Sequence, residues 1–139
     1  SVTVLSGPPG SGKTIIAQQF CFQVATAERR ALYFSTLSEP MRIAFWGLVR
    51  TPPEKRDMAA IGKAAEEAGK LFGRLDGWLA GRRYVAGDRF TMGDIPVGCF
   101  AYRWYALDIE RPDLRNVRAW YERLATRPAY ARHVMIKMT

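Results

Sequence analysis

Residues 57–80 read DMAAIGKAAEEAGKLFGRLDGWLA, and this stretch decides the fold of most of the chain. Its apolar residues recur at steps of three and four, which is the spacing of a helix that packs one face into a bundle. The residues of that face are Met58, Ile61, Ala65, Ala68, Phe72, Leu75 and Leu79. The pattern predicts a long helix from Asp57 to Ala80, which Gly81 ends.

The loop after this helix, residues 81–90, leads into the start signal of another helix. Thr91 is a residue type that caps free backbone N–H groups, and Asp94 stands three positions later, as in a capping box. We therefore predict a helix that begins at Thr91 and runs to about Leu107.

Helical patterns continue on both sides of these two elements. A short helix is predicted from Met41 to Arg50, because Thr51-Pro52-Pro53 stops it. A further helix is predicted from Asn116 to Arg127, and Pro128 begins a last short one. Residues 41–139 are thus expected to form an all-helical domain.

The first forty residues have a different character. An apolar run at residues 2–5, a helical pattern from Lys13 to Glu28 and a second run at residues 31–36 predict a βαβ unit with two parallel strands and one helix. The predicted fold class is an α/β fragment, residues 1–40, packed on an all-α domain, residues 41–139. No linker separates the two, because Pro40 passes directly into Met41.

The loop between the first strand and its helix carries a phosphate-binding motif. Residues 7–14, GPPGSGKT, match G-x-x-x-x-G-K-[ST] in full. In such a loop the backbone N–H groups and the lysine hold nucleotide phosphates, and the last hydroxyl ligates Mg²⁺. The motif predicts a site for ATP or GTP with Mg²⁺, in which Thr14 is the metal ligand. Its phosphate-binding residues are Gly7, Pro9, Gly10, Ser11, Gly12, Lys13 and Thr14.

Residues 1–40 resemble the start of a RecA-type ATPase domain of the KaiC kind. The resemblance rests on the P-loop, on Ala17-Gln-Gln-Phe20 and on residues 31–40, ALYFSTLSEP. In that family two glutamates follow the second strand and activate the attacking water, whereas this chain reads Ser38-Glu39. The resemblance implies Glu39 as the catalytic residue of, at most, a weak NTPase.

Residues from about 41 to 139 resemble the helical C-terminal domain of a bacterial glutathione S-transferase. The stretches that carry the resemblance are 48–57, 79–98, 110–114 and 118–128. In that family the thiol-activating residue lies in a thioredoxin-like N-terminal domain, for which this sequence shows no match. We therefore expect no glutathione transfer. The aromatic residues Trp46, Tyr102 and Trp104 are interpreted as core or former domain interface, and less readily as the lining of a co-substrate pocket.

Composition is that of a globular protein, with 48% hydrophobic and 24% charged residues. The formal net charge is +8, and residues 41–139 carry most of it. Because the arginines are scattered along the chain, their charge is more readily interpreted as that of solvated helix faces than as a nucleic-acid site. Cys21 and Cys99 are expected to be buried thiols of a cytoplasmic protein without a membrane span. His133 is expected at the surface.

Together these patterns predict a chimeric protein, engineered or recombined, that binds nucleotide phosphates with little or no turnover. Two strands are not a stable sheet alone, and the helices have lost a packing partner. We therefore also predict a homo-oligomer. The alternatives are a weak NTPase that uses Glu39, and a folded oligomeric chimera that binds nothing.

Overall fold

In a computed structural model, residues 37–138 are described, and they form five α-helices. The bounds are α1 Ser38–Phe45, α2 Met58–Leu79, α3 Asp94–Ala106, α4 Arg115–Ala125 and α5 Pro128–His133. These residues contain no strand beyond one isolated bridge between Tyr84 and Gly87, so the predicted helical bundle is confirmed. The predicted βαβ strands and the P-loop lie outside the described residues.

Helix α1 begins at Ser38, three residues before the predicted start at Met41. Pro40 does not prevent this, because a proline in the first helical turn has no intrahelical N–H bond to lose. The predicted domain boundary between residues 40 and 41 falls inside this helix. A π-helical turn, Trp46–Arg50, follows α1 and closes with a 2.9 Å bond from Thr51 N–H to the Trp46 carbonyl.

Helix α2 follows the predicted pattern closely. The Asp57 carboxylate caps it by accepting a 3.0 Å bond from Ala60 N–H, and Gly81 follows with a φ of +73°. The predicted face is buried except for Met58, which is 61% exposed. Met58 stands in the first turn, beyond the reach of the core, so its assignment to the bundle face was wrong. Gly69 is buried as well, and its backbone lies close to Trp104 and Pro112.

Helix α3 begins at Asp94, three residues after the predicted start at Thr91, and the part of the predicted capping box that is formed is the bond from Thr91 N–H to the Asp94 carboxylate. Asp94 Oδ2 accepts a 2.8 Å bond from Thr91 N–H, and Thr91 Oγ1 accepts a weaker 3.3 Å bond from Gly93 N–H. The Asp94 side chain is fully buried. Its Oδ1 also accepts bonds from Val85 N–H and Trp120 Nε1, each 2.9 Å long. One carboxylate thus connects the loop, α3 and α4.

Large aromatic side chains fill the centre of the bundle. Trp104 of α3 and Trp120 of α4 are fully buried, and the Trp104 and Phe72 rings lie 4.9 Å apart. The first turn of α4 is capped from α2, since Asp76 Oδ1 accepts bonds from Asn116 and Val117 N–H at 2.8 and 2.9 Å. These contacts fix α3 and α4 relative to α2.

Candidate functional site

A pocket of about 320 Å³ lies where α1, the π-helical turn, α3 and the C-terminal tail meet. We call it the tail pocket. Four segments that are separate in the sequence build it. Its lining residues are Phe45, Arg50, Cys99, Tyr102, Arg103, His133, Val134, Ile136, Lys137 and Met138.

The lining combines an aromatic floor with cations. The Arg103 guanidinium lies 5.1 Å from the centre of the Phe45 ring, and that of Arg50 lies 5.9 Å from it. Lys137 and His133 add two further basic side chains, and the lining contains no acidic residue. Such a pocket attracts an apolar ligand that carries a negative charge.

The C-terminal tail is held over this pocket by one side chain. The Tyr102 hydroxyl donates a 2.6 Å hydrogen bond to the Ile136 carbonyl. Cys99 is a free, half-buried thiol in the same lining, so its expected full burial was wrong. His133 lies at the end of α5 and is exposed, as expected.

A larger groove of about 850 Å³ runs along α2 beside residues 108–114. Its floor is apolar and includes Gly62, Ala65 and Gly69. Two of its charges neutralise each other, because Glu66 and Lys70 form an ion pair at 2.6 Å. Asp108, Glu110 and Arg111 also line the α2 groove, so its charges are of both signs. The tail pocket is the better candidate for an anionic ligand, because its lining carries cations and no carboxylate.

The predicted catalytic residue Glu39 stands in the first turn of α1. Its side chain is exposed and forms a 2.6 Å ion pair with Arg42. The hydrogen bond and the charge of Arg42 lower the pKa of the Glu39 carboxyl below its ordinary value. The P-loop residues of the same predicted site lie outside the described residues. The site as a whole stays a prediction from sequence.

The three singled-out aromatic residues have separate environments. Trp104 is in the core, as the first interpretation held, whereas Trp46 is 56% exposed and Tyr102 lines the tail pocket. Sequence reasoning missed Phe45 and Arg50. Residues five apart do not share a face of an α-helix, and only the π-helical turn brings these two together. The sequence signal at this place is the helix-stopping pair Thr51-Pro52, which directly follows the run Trp46–Arg50.

Within residues 37–138, no group of three or more His, Cys, Asp or Glu side chains is placed to hold a metal ion. None of the helices described is both long enough and apolar enough to cross a membrane.

Comparison with known proteins identifies the helical domain. Residues 37–128 match the family "Glutathione S-transferase, C-terminal domain". The chain belongs to this family. It is 40% identical over 104 residues to the glutathione S-transferase GstB of Escherichia coli, a match covering 75% of this chain and 50% of GstB. It is 33% identical over 85 residues to the glutathione S-transferase 3 of Zea mays, covering 56% and 36% of the two chains.

Solved structures give the same result. The theta class glutathione S-transferase from Xanthomonas axonopodis pv. citri superposes with a TM-score of 0.73 at 40% identity. This match covers 95% of the present chain and 64% of that one. The form with glutathione bound matches with the same score and identity. The chain spans about half the length of GstB and less of the maize relative.

These comparisons overturn several predictions. The predicted nucleotide-phosphate-binding function was wrong, as were Mg²⁺ with ATP or GTP as cofactor and the weak NTPase. The expectation that glutathione transfer is unlikely was wrong as well, because the relatives of the helical domain are glutathione S-transferases. The P-loop, nucleotide-binding and chimera descriptions find no support among the matches. The family match covers most of the chain, whereas the loop motif spans eight residues.

Proposed function

We propose that this chain belongs to a glutathione transferase and that its tail pocket holds the electrophilic co-substrate. The observation that carries the proposal is the lining of the pocket, where Arg50 and Arg103 flank the Phe45 ring without an opposing carboxylate. Membership of the glutathione S-transferase C-terminal domain family supports it.

The reaction that this arrangement suits is nucleophilic aromatic substitution, in which glutathione displaces a halide from an electron-poor ring. The glutathione thiolate attacks an electron-poor ring carbon, a C–S bond forms, and a halide leaves with the electron pair of its bond. Negative charge builds up on the ring before the halide departs. Guanidinium groups beside the ring stabilise this charge, and more so where water is excluded.

The charge of the lining also selects among electrophiles. An electrophile with a carboxylate gains a charge-assisted hydrogen bond from Arg50 or Arg103, whereas a neutral one does not. We expect 4-chloro-3-nitrobenzoate to gain more from these arginines than 1-chloro-2,4-dinitrobenzene, which has no carboxylate.

The test compares the two electrophiles with glutathione in the intact protein, in Arg50→Gln and in Arg103→Gln. For the carboxylated electrophile, either substitution should lower kcat/KM about tenfold, which corresponds to one charged hydrogen bond. The neutral electrophile should change much less, and Arg132→Gln, on the exposed side of α5, should change neither. Absence of conjugate formation above the buffer rate with both electrophiles would contradict the transferase proposal.

We also propose that the protein forms a homo-oligomer. Trp46 and Met58 are large apolar residues with more than half of their surface exposed, which favours contact with another surface. Light scattering at two protein concentrations tests this, and a monomer mass at both would argue against it.

A further inference from the structure

Four arginines gather beside the loop between α2 and α3. We call Arg82, Arg83, Arg123 and Arg127 the arginine surface. The Arg123 guanidinium donates two hydrogen bonds, at 3.1 and 2.8 Å, to the Arg83 carbonyl. Arg82, Arg83 and Arg123 line one shallow pocket of about 210 Å³. Arg127 lies two residues after the end of α4, as the N-cap of α5, and joins the other three through the rings described next.

Aromatic rings lie against three of these four guanidinium groups. The Arg127 guanidinium lies 3.8 Å from the centre of the Phe90 ring, and Arg123 lies 5.9 Å from that of Tyr84. The Tyr84 and Phe90 rings meet edge to face at 6.1 Å, which makes the patch continuous.

A third arginine, Arg82, is held in the same manner. Arg82 stacks 4.2 Å from the Trp78 ring and donates to the Trp78 carbonyl. Trp78 is fixed in turn, since its Nε1 donates a 2.8 Å bond to the Val85 carbonyl. Stacked guanidinium groups lose less conformational entropy when they bind a partner than freely rotating ones do.

No carboxylate neutralises the arginine surface within residues 37–138. The ion pairs of that range join Glu39 with Arg42, Glu66 with Lys70 and Asp113 with Arg118, all at other places. The partners of Arg82, Arg123 and Arg127 are ring faces and backbone carbonyls, which carry no negative charge to offset theirs. Most of the guanidinium N–H donors also remain available.

We propose that the arginine surface docks an acidic segment of a partner protein. Carboxylates match the fork of the guanidinium group, and each pair forms short, charge-assisted bonds. Single-stranded nucleic acid is less suited, because its binding relies on bases that stack on open aromatic rings. Here the Trp78 and Phe90 rings are already covered by the protein's own arginines. Met92, 59% exposed and two residues after Phe90, offers apolar contact to a polypeptide.

The experiment measures fluorescence anisotropy of a labelled poly-glutamate peptide with the intact chain. Arg83→Gln/Arg127→Gln removes two charges from the surface, and Arg115→Gln/Arg132→Gln removes two from exposed positions elsewhere. We expect the first variant to raise the Kd for the peptide about tenfold and the second less than about twofold. Arg83→Gln alone should show part of the effect. No hydrogen bond or ion pair of the Arg83 side chain occurs within the described range, so this change leaves the fold intact.

The alternatives are separated in the same titrations. Equal losses in the two double variants would mean that only net charge is sensed, and would overturn the proposal. No binding of poly-glutamate would also overturn it. A labelled oligothymidylate that binds more tightly than the peptide and depends on Arg83 and Arg127 would replace the proposed partner with nucleic acid.

Discussion

The buried carboxylate of Asp94 accepts a 2.9 Å hydrogen bond from the indole Nε1 of Trp120, twenty-six residues later in the chain. The same oxygen accepts from Val85 N–H, and the second oxygen accepts from Thr91 N–H. Asp94 and Trp120 are both fully buried. Water therefore cannot reach the Asp94 carboxylate to replace these hydrogen bonds. The capping residue of α3 is therefore also the link that holds α4 and the preceding loop to it.

Asp94→Ala should lower the free energy of unfolding by about 3 kcal/mol or more, because several buried donors lose their acceptor at once. Asp94→Asn retains one carbonyl oxygen and should cost less. Urea unfolding followed by tryptophan fluorescence measures both. Asp88→Ala, at an exposed position in the same loop, is the control and should stay within about 0.5 kcal/mol of the parent protein. A similar small effect for Asp94→Ala would show that this network does not stabilise the fold.

Two glycines inside helices should respond in opposite directions to alanine. A Cβ at Gly98 would lie 2.9 Å from Leu124 Cδ1 and 3.1 Å from Tyr130 Cε2, whereas a Cβ at Gly62 meets nothing within 4 Å. Gly98→Ala should destabilise the protein by about 1–3 kcal/mol through overpacking. Gly62→Ala should stabilise it by about 0.5–1 kcal/mol, since alanine is the better helix former. Thermal unfolding of the two variants side by side measures both changes in stability. Changes of the same sign in both variants would refute the packing argument.

Stability should fall in alkaline solution because of Tyr130. Burial raises the pKa of the Tyr130 hydroxyl, which donates a 2.6 Å bond to the Gly98 carbonyl. Above a pH of about 10 the unfolded chain loses this proton while the folded chain keeps it. The unfolded state then binds fewer protons, so the free energy of unfolding decreases as pH rises.

The measurement is the urea midpoint from about pH 8 to pH 11 for the parent and for Tyr130→Phe. The variant should begin with a lower midpoint, through loss of the hydrogen bond, and should lose less on going to high pH. Burial also raises the pKa of Tyr105 and Tyr121, so some alkaline decline should remain in the variant. Parallel pH profiles for the two proteins would rule out the assignment to Tyr130.

The C-terminal tail over the tail pocket should open more often when its hydrogen bond to Tyr102 is removed. Tyr102→Phe deletes the bond to the Ile136 carbonyl and keeps the ring. One net hydrogen bond corresponds to about a fivefold change in local opening, so trypsin should cleave after Lys137 about five times faster. Mass spectrometry of timed digests gives the rates. In the matched control Tyr105→Phe, the lost hydroxyl belongs to a ring stacked on Tyr121, and cleavage should keep its parent rate.

The helical part of the fold could be predicted from sequence because its signals are local and agree with one another. Three local signals each predicted a helix. They are the apolar period of α2, the capping pair Thr91 and Asp94 before α3, and Pro128 at the start of α5. The start of α1 was missed because Pro40 is compatible with both a loop and a first helical turn. Met58 was misassigned because periodicity continues into a turn that projects beyond the core.

The site could not be predicted in the same way, since its residues come from segments far apart in sequence. Tyr102 was noticed as an aromatic residue, but the partner of its hydroxyl is thirty-four residues away at Ile136. The cations of the tail pocket were counted only as part of the net charge. No period or short motif marks Arg50, Arg103 and Lys137 as neighbours, because tertiary packing alone brings them together.

The π-helical turn at Trp46–Arg50 has a consequence for how sequences of this kind can vary in length. A π-helical turn accommodates one residue more than an α-helical turn does. Deleting a single residue from this run would allow α1 to continue as a regular α-helix without the π-helical turn. The residues that are now Phe45 and Arg50 would then stand four positions apart and would still share a face of that helix. Related chains with a one-residue gap in this run should therefore keep the paired ring and guanidinium on a regular α-helix.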